Sequence, residues 1–221
     1  MKFSKETIQI LSNFAMINPN IHLTESNEVF IKAVDGSIVA RAFISEEIPK
    51  EIAVYDLKSL LNLLTLADDQ EVEFGENSLT ITKDNGSFEY FYADLDLVPS
   101  PPKKFPSFEA KYSFSLSLQE VQTINKAASI LQSPYLCIVS KKGKTQLIIG
   151  DPKTSSSNSY KKTLETAEID MDVRLAFENF KVIPDDYIID VCATDKVKLI
   201  HVKSKTRKLE YVFALDVGSV L

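Results

Sequence analysis

Glycine, cysteine and histidine are scarce in this chain of 221 residues, which has six glycines, two cysteines and two histidines. The glycines mark turns, so the chain lacks a glycine-rich loop of the kind that cradles phosphate groups. Cys137 and Cys192 lie inside apolar, strand-like runs, which predicts buried reduced thiols rather than a disulfide or a metal site. His22 and His201 stand in different halves without a shared motif, which is typical of strand or loop residues rather than of catalytic bases. We therefore expect no metal and no cofactor.

Positive charge is in the minority. The chain has 25 lysines and arginines against 31 aspartates and glutamates, a net charge of −6, and a pI of about 5.1. This balance excludes a uniformly basic nucleic-acid-binding domain, but it does not exclude a local basic surface. Residues 1–105 carry 9 basic and 17 acidic side chains, a net of −8, whereas residues 106–221 carry 16 and 14, a net of +2. The two halves therefore differ in surface charge.

Long apolar runs are also missing, since none approaches the roughly 18 residues that a membrane-spanning helix needs. The stretch from Met1 to Glu6 alternates charged with apolar side chains and has no signal-peptide core. With 44% apolar and 25% charged residues, the composition is that of a folded soluble protein. We expect a cytoplasmic protein with no membrane partner.

Proline is concentrated at one place, because four prolines fall within the nine residues from Pro99 to Ser107. Proline fixes φ and lacks an N–H donor, so this stretch can form neither a helix nor a central strand. It predicts an extended connector over about residues 96–107, close to the middle of the chain. We therefore predict two domains of similar size, residues 1–105 and 106–221.

Both predicted domains open with an amphipathic helix. The first runs from about Lys5 to Asn18 with Ser4 as its N-cap. The second begins at Ser117, which forms a capping-box pattern with Glu120. Hairpin strands follow, and two-residue turn signals separate them at Asp35-Gly36, Asn85-Gly86, Lys142-Gly143, Asp195-Lys196 and Lys205-Thr206.

Each half also contains a strand, a short helix, an Asp-Asp pair and another strand. The predicted helices are Leu57–Leu66, with Asp56 as its N-cap, and the shorter Phe177–Val182. The pairs are Asp68-Asp69 and Asp185-Asp186. One repeat of about 110 residues is a duplication rather than a solenoid. The order of elements predicts an α+β fold of two similar domains with antiparallel sheets.

Eleven outward positions on three predicted helices contain no acidic residue, and the acids Glu6, Asp56 and Glu120 fall in caps or first turns, where they suit the helix dipole. Glutamine, asparagine, serine and lysine there can bond phosphate oxygens without reading bases, which is what a protein sliding along DNA requires. An ordinary solvated helix face explains the same pattern equally well. The eleven positions are Lys5, Gln9, Ser12, Met16, Lys58, Asn62, Thr65, Gln119, Gln122, Lys126 and Ser129.

Paired acids are the remaining candidates for catalysis. Besides the two Asp-Asp pairs, the chain has Asp94 with Asp96 and Asp170 with Asp172. A two-metal nuclease would need several such acids brought together. Turn chemistry explains the Asp-Asp pairs, so we expect no enzyme and no catalytic residue.

The chain resembles the sliding clamps of T-even-type bacteriophages, the processivity factors of DNA polymerase. The resemblance runs in order along nearly the whole chain, is strongest in the N-terminal half and is weakest over Asp151–Lys162. Its closest stretches are Met1–Lys5, Asn13–Asn18, Ala33–Gly36 and Ile52–Leu57, with further matches at Val121-Gln122, Leu131-Gln132, Lys142–Lys144 and Tyr211–Leu215.

The resemblance implies a closed homotrimeric ring whose subunits each have two clamp domains of the processivity fold. Helices would line the channel, and antiparallel sheets would form the outside. It thereby implies sequence-independent contact with duplex DNA. The expected DNA-facing residues are Lys2, Lys5, Gln9, Lys58, Asn62, Gln122, Lys126 and Lys181.

The resemblance also implies a subunit interface, in which strand Ser87–Ala93 of one subunit meets strand Ser159–Leu164 of the next. The expected interface residues are Phe88, Tyr90, Tyr92, Lys161 and Lys162, although core packing is the alternative for the three aromatic residues. A pocket for partner peptides is implied near the connector and the last strand. Its candidate residues are Val98, Phe105, Tyr211, Val212, Ala214 and Val217, and core packing is again the alternative for most of them.

Clamps of this family imply several partners. We expect an ATP-driven clamp loader, the replicative DNA polymerase and, for late transcription, a sigma-like factor with its co-activator, all in the cytoplasm of the infected host cell. The alternative from another functional class is an oligomeric structural phage protein that never meets DNA.

Overall fold

A computed structural model describes residues 1–66, 71–83, 86–102, 104–105, 107–154, 156–194 and 197–221. The chain divides into two compact units. Unit 1 comprises Met1–Asp35 and Val39–Phe105, and unit 2 comprises Gly36–Ile38 and Pro106–Leu221. Among the described residues, no helix has the length and apolar character required to cross a membrane.

The described residues of unit 1 form two α-helices, and most of the strands form antiparallel hairpins. Strand β1 pairs with β4, β2 pairs with β3, and β5, β6 and β7 form a three-stranded sheet in that order. The elements are α1 (Lys5–Ile17), β1 (Ile21–Leu23), β2 (Glu28–Lys32), β3 (Ile38–Phe43), β4 (Ile52–Val54), α2 (Leu57–Leu64), β5 (Glu71–Phe74), β6 (Ser78–Lys83), β7 (Gly86–Phe91) and a 3₁₀ turn (Leu95–Leu97).

Both helices of unit 1 begin at the side-chain caps that the sequence predicts. The Ser4 hydroxyl accepts a hydrogen bond from the Thr7 amide at 3.1 Å. The Asp56 carboxylate accepts one from the Ser59 amide at 2.9 Å, and hydrogen bonds from Ser59 lower the pKa of Asp56. Helix α1 packs against α2. The apolar stripes are buried at Ile10, Leu11, Phe14 and Ile17 of α1 and at Leu57, Leu60, Leu61 and Leu64 of α2.

The described residues of unit 2 form one long helix and two four-stranded antiparallel runs. Their orders are β11-β10-β9-β12 and β15-β14-β13-β8. The elements are β8 (Ala110–Leu116), α3 (Leu118–Leu131), β9 (Tyr135–Lys141), β10 (Lys144–Gly150), β11 (Tyr160–Thr163), β12 (Met171–Ala176), a 3₁₀ turn (Phe177–Asn179), β13 (Tyr187–Ala193), β14 (Lys198–Ser204) and β15 (Leu209–Ala214).

Helix α3 begins with the predicted capping box. The Ser117 hydroxyl accepts from the Glu120 amide, and the Glu120 carboxylate accepts from the Ser117 amide at 2.8 Å. A second cap comes from outside the helix, because Asp186 Oδ1 accepts from the Leu118 amide at 2.7 Å. Asp186 thus satisfies an N–H group at the helix start that has no intrahelical partner.

Two predicted helices end earlier than the sequence suggested. Helix α2 stops at Leu64, and the segment predicted as helix Phe177–Val182 forms only a three-residue 3₁₀ turn. The Lys181 amide bonds to Asn179 O at 2.7 Å instead of continuing a helix. The Phe180 ring packs 6.0 Å from Phe213, so tertiary packing outweighs local helical preference here. Asp68-Asp69, Asn85 and the turn at Asp195-Lys196 lie outside the described residues.

Asp185 is buried in a network of hydrogen bonds near the last hairpin. It accepts from the Ser204 hydroxyl at 2.6 Å and from the Thr206 hydroxyl at 2.7 Å, and Arg207 Nε lies 3.8 Å away. Burial by itself raises the pKa of Asp185, but the hydrogen bonds from Ser204 and Thr206 outweigh it and hold the pKa below the ordinary value. This network explains the second Asp-Asp pair as structural.

We predict that Asp185→Ala lowers the free energy of unfolding by about 3 kcal/mol, because it removes the acceptor from a buried charged network. A lowered folded-state pKa stabilises the protein above the unfolded pKa, so this contribution is lost as pH falls through the folded value. Urea unfolding at neutral and acidic pH measures both effects. Asp170→Ala, at an exposed acid, is the control, and equal losses in the two variants would contradict the prediction.

Candidate nucleic-acid interface and open strand edges

All eleven acid-free helix positions are exposed to solvent. On α1 and α2 these include Lys5, Gln9, Lys58 and Asn62, and the exposed acid on α1 is Glu6 in its first turn. An acid in the first turn interacts favourably with the helix dipole. Within unit 1 the two packed helices therefore present lysine and amide side chains with little negative charge.

Helix α3 presents a similar face in unit 2. Gln122 and Lys126 are exposed, while Glu120 is half-buried at the capping box. Leu118, in the first turn of α3, is 41% exposed, whereas Val121 in the same helix is buried in the core. Ile130 is 73% exposed, which the sequence did not predict.

The two remaining DNA candidates lie outside the helices. Lys2 is exposed and precedes α1, and Lys181 is half-buried just after the 3₁₀ turn at Phe177–Asn179. Both residues take part in interactions within the chain. Their partial engagement makes them weaker candidates than Lys5, Lys58 and Lys126.

Strand β7 is an edge strand of the three-stranded sheet. Phe88 lies opposite Ile81 on the inner face of the sheet, yet it is 42% exposed. Tyr90, opposite Leu79, donates its hydroxyl to Asp56 O at 3.0 Å, and burial raises its pKa. Within unit 1, Tyr90 is thus anchored, whereas Phe88 remains available.

Tyr92 follows the end of β7 and is half-buried. Its hydroxyl donates to Gly75 O at 3.4 Å, and the Lys50 ammonium lies 5.4 Å from its ring centroid. A cation over an aromatic face is attracted by the ring quadrupole. Tyr92 therefore helps to hold the β5–β6 turn in place.

Strand β11 is the corresponding edge strand in unit 2. Lys161 is exposed, but Lys162 lies on the opposite face and pairs with Glu120 of the α3 capping box. The hydrogen bond from Lys162 is the main cause of the lowered pKa of Glu120. Lys162 therefore ties the edge strand to the helix, a contact that the sequence analysis missed because the two residues are 42 positions apart.

Three of the residues assigned to a partner-peptide pocket are buried. Val98 is 4% exposed, Tyr211 is 0% and Val212 is 8%. The Tyr211 ring stacks 5.9 Å from Phe213, and its hydroxyl accepts from the Ile183 amide at 3.3 Å. All three side chains pack in the cores of their units, which is the alternative that the sequence left open for them.

The other pocket candidates remain accessible. Ala214 and Val217 are exposed in unit 2, and Phe105 is half-buried in unit 1. Phe105 packs 6.5 Å from the Phe30 ring, and the Arg41 guanidinium lies 4.6 Å from its centroid. No sequence motif singles out this aromatic–arginine cluster, because its members come from two strands and the connector.

The Phe105 cluster extends to the end of strand β3. The Arg41 guanidinium also lies 5.6 Å from the ring of Phe43, which is 38% exposed, and Arg41 forms a 3.3 Å ion pair with Glu28. The cluster thus combines exposed aromatic surface with a fixed positive charge.

The titratable candidates for catalysis are engaged in local contacts. Asp94 accepts from the Asp96 amide, Asp170 accepts from the Lys142 amide, and Asp172 forms a two-point ion pair with Arg174. Within the described ranges, no three metal-ligating side chains come together.

The histidines and cysteines have structural surroundings. His22 Nε2 lies 2.7 Å from Glu51, and His201 Nε2 lies 2.7 Å from Glu210, each on a strand. Burial raises the pKa of the Cys137 thiol to about 12 and that of Cys192 to about 11. Thiols with such pKa values stay protonated at neutral pH and are poor nucleophiles.

Comparison with known proteins decides the family. A family model described as DNA polymerase processivity factor matches residues 4–96. The sliding clamp of Escherichia phage RB69 is 31% identical over 230 residues, which cover 99% of this chain and 98% of that protein. The chain belongs to the sliding clamp family. The clamp of Enterobacteria phage T4 is 30% identical over 227 residues, with 99% and 98% covered, and that of Vibrio phage KVP40 is 28% identical over 199 residues, with 86% and 90% covered.

Solved clamp structures share the fold. PCNA from Thermococcus kodakaraensis gives a TM-score of 0.67 at 14% identity, with 96% of each chain covered. The Helicobacter pylori beta clamp bound to a DNA ligase peptide gives 0.63 at 18% identity, with 100% of this chain and 67% of that chain covered. With 5-chloroisatin, the same clamp gives 0.66, with 98% and 63% covered, so this chain spans about two thirds of the beta clamp. The predicted α+β clamp fold is confirmed.

Membership of this family confirms the predicted function. As a sliding clamp, the chain is a non-enzymatic processivity factor that works with DNA and a DNA polymerase. A clamp raises processivity by tethering the polymerase to its template, so it needs neither a catalytic site nor a base-specific contact. The exposed lysine and amide side chains of α1, α2 and α3 agree with this role, because they can bond phosphate oxygens without reading bases.

Proposed function

We propose that this clamp encircles duplex DNA as a closed homotrimer, with the exposed faces of α1, α2 and α3 toward the phosphates. Exposed lysine, glutamine and asparagine side chains on these faces support the proposal, because they bond phosphate oxygens without reading bases. Few lysines are present, so each contact is weak and the ring slides. Topological closure then keeps the protein on DNA without high affinity.

Ring closure pairs the β7 edge of one subunit with the β11 edge of the next. This is supported by the positions of β7 in unit 1 and β11 in unit 2 as edge strands, because unpaired backbone groups are templates for another strand. Edges on different units join head to tail, which allows a closed ring. Lys161 on β11 and Glu89 on β7 give the edges opposite charges.

We predict different effects for the two lysines of β11. Lys161→Glu is expected to weaken the trimer interface by about 1 kcal/mol, roughly fivefold, since it reverses an exposed charge facing an acidic edge. Lys162→Glu is expected to destabilise unit 2 by about 1 kcal/mol, because it places an acid beside Glu120. Sedimentation equilibrium and urea unfolding separate these effects. An unchanged trimer dissociation constant in Lys161→Glu would remove Lys161 from the interface.

Partner peptides are proposed to dock on unit 1 at the Phe43–Arg41–Phe105 cluster. Exposed aromatic rings beside a fixed guanidinium suit an apolar anchor followed by an acidic or carboxylate group. The first such partner is the replicative polymerase. A clamp loader ATPase and late-transcription factors in the infected cell are further proposed partners, and Ala214 and Val217 offer accessible surface on unit 2.

Absolute mass by light scattering after size exclusion tests the ring directly. The expected value is three times 24.8 kDa over a range of concentrations. A strict monomer at every concentration would contradict the closed trimer. It would leave the family assignment standing, because that rests on sequence.

A further inference from the structure

The three-stranded sheet of unit 1 and the four-stranded sheet of unit 2 have two edges each. They are β5 and β7 in unit 1, and β11 and β12 in unit 2. The two edges of each sheet differ in whether their backbone groups are bonded by another segment of the chain. One edge of each sheet is covered by a short stretch of the same chain, and the other is open.

The β12 edge is covered by the segment 216–220. Asp172 and Val220 exchange both backbone hydrogen bonds, at 2.9 and 2.8 Å, and the Asp216 amide donates to Arg174 O at 2.9 Å. The Ser219 hydroxyl accepts from the Arg174 amide at 3.0 Å. These contacts occupy every outward backbone group of Asp172 and Arg174.

The segment 216–220 is held by polar contacts rather than by a core. Val217 is 100% exposed and Val220 is 60% exposed, so their side chains bury little apolar area. Ser219 is 1% exposed, and its carbonyl accepts from Lys198 Nζ at 2.5 Å. The segment thus covers the edge without contributing a large hydrophobic contact.

The β5 edge is covered at Val72. Met1 and Val72 exchange two backbone hydrogen bonds, with Val72 N donating to Met1 O at 2.8 Å and the Met1 amino group donating to Val72 O at 2.6 Å. Val72 lies within β5 and is 2% exposed. In each unit, therefore, one edge of the sheet bonds to another segment of the same chain, although the two covering segments are unrelated in sequence.

The other two edges are open within the described part of the chain. The Tyr92 amide donates to Asn77 O, so by alternation the Ser87, Glu89 and Phe91 amides point away from β6. The Leu164 amide donates to Thr145 O. Because alternate residues of a strand bond to the same neighbour, the amides of Lys161 and Thr163 point away from β10. No described residue bonds these outward amides.

We propose that Met1 and the segment 216–220 are edge caps that prevent copies of this chain from pairing through β5 or β12. This rests on the proposed ring. With β5 or β12 open, β7 or β11 of a second copy could pair with the wrong edge, and such contacts build open chains rather than a closed ring. Capping these two edges leaves β7 and β11 as the open edges of the two sheets. The opposite charges of Glu89 on β7 and Lys161 on β11 then favour head-to-tail pairing of β7 with β11.

The test compares two prolines in the same segment. Val220→Pro removes the N–H that bonds Asp172 O and uncaps β12. Val217→Pro is the matched control, since Val217 is fully exposed and its amide makes no bond to β12. Absolute mass is measured over a range of concentrations, together with hydrogen exchange at the Asp172 amide.

For Val220→Pro we expect faster exchange at Asp172 and an average mass at least about twofold above that of Val217→Pro at high concentration. Faster exchange without a rise in mass would overturn the proposal. If the Asp172 amide of Val220→Pro still exchanges slowly, the double variant Ser219→Ala/Val220→Pro is measured instead. The same changes in exchange rate and in average mass are then required of it. The mass of the wild-type protein tests the ring separately, because a monomeric wild type would contradict the closed trimer. The difference in mass between Val220→Pro and Val217→Pro tests the edge caps in either case.

Discussion

Replacing Lys5, Lys58 and Lys126 together with glutamate is expected to shorten the products of clamp-dependent DNA synthesis by at least about tenfold. Each substitution removes an exposed cation from a helix face and places an acid where the phosphates would pass. The slope of log affinity against log salt should fall by about one for each lysine–phosphate pair that the substitutions remove. Primer extension with the cognate polymerase and loader, at several salt concentrations, measures both quantities.

The control for this variant reverses three exposed lysines that lie on strands, Lys32, Lys111 and Lys144. It changes the net charge by the same amount but leaves the helix faces intact. We expect it to keep most of the wild-type product length. If the helix variant also supported wild-type processivity, the assignment of α1, α2 and α3 to the DNA channel would be wrong.

Glu89→Pro is expected to weaken each subunit contact by about 1–3 kcal/mol, roughly 5- to 150-fold in the trimer equilibrium per interface. The Glu89 amide points away from β6, so proline there removes no hydrogen bond of the sheet within unit 1. Proline is tolerated on an edge strand when its missing N–H faces outward. The defect should therefore appear in assembly rather than in folding, and sedimentation equilibrium with circular dichroism distinguishes the two.

Glu89→Ala is the matched control, since it also loses the carboxylate that accepts from the Ser78 hydroxyl at 2.7 Å but keeps the N–H. It should assemble nearly as well as the wild type, apart from a small electrostatic effect. Equal trimer constants for the two variants would mean that β7 does not pair through its backbone. The interface would then have to lie on another surface.

The sequence by itself determined the local features of this protein. Ser4, Asp56 and Ser117 start the three helices where the capping patterns placed them, because a cap is a contact within three residues. The exposed helix faces followed from periodicity alone. The turns Asp35-Gly36 and Lys142-Gly143 were readable for the same reason, and Gly36 and Gly143 have φ of 75°.

Only the tertiary structure decided which residues serve the core and which serve a surface. The family resemblance left Tyr211 as either a pocket or a core residue, and packing against Phe213 and Tyr187 buries it completely. Lys162 reads as an interface lysine, yet it is bound to Glu120 across 42 positions. Likewise, the caps on β5 and β12 join residues 71 and 48 positions apart. Such pairings depend on how strands are ordered in a sheet, which local periodicity does not encode.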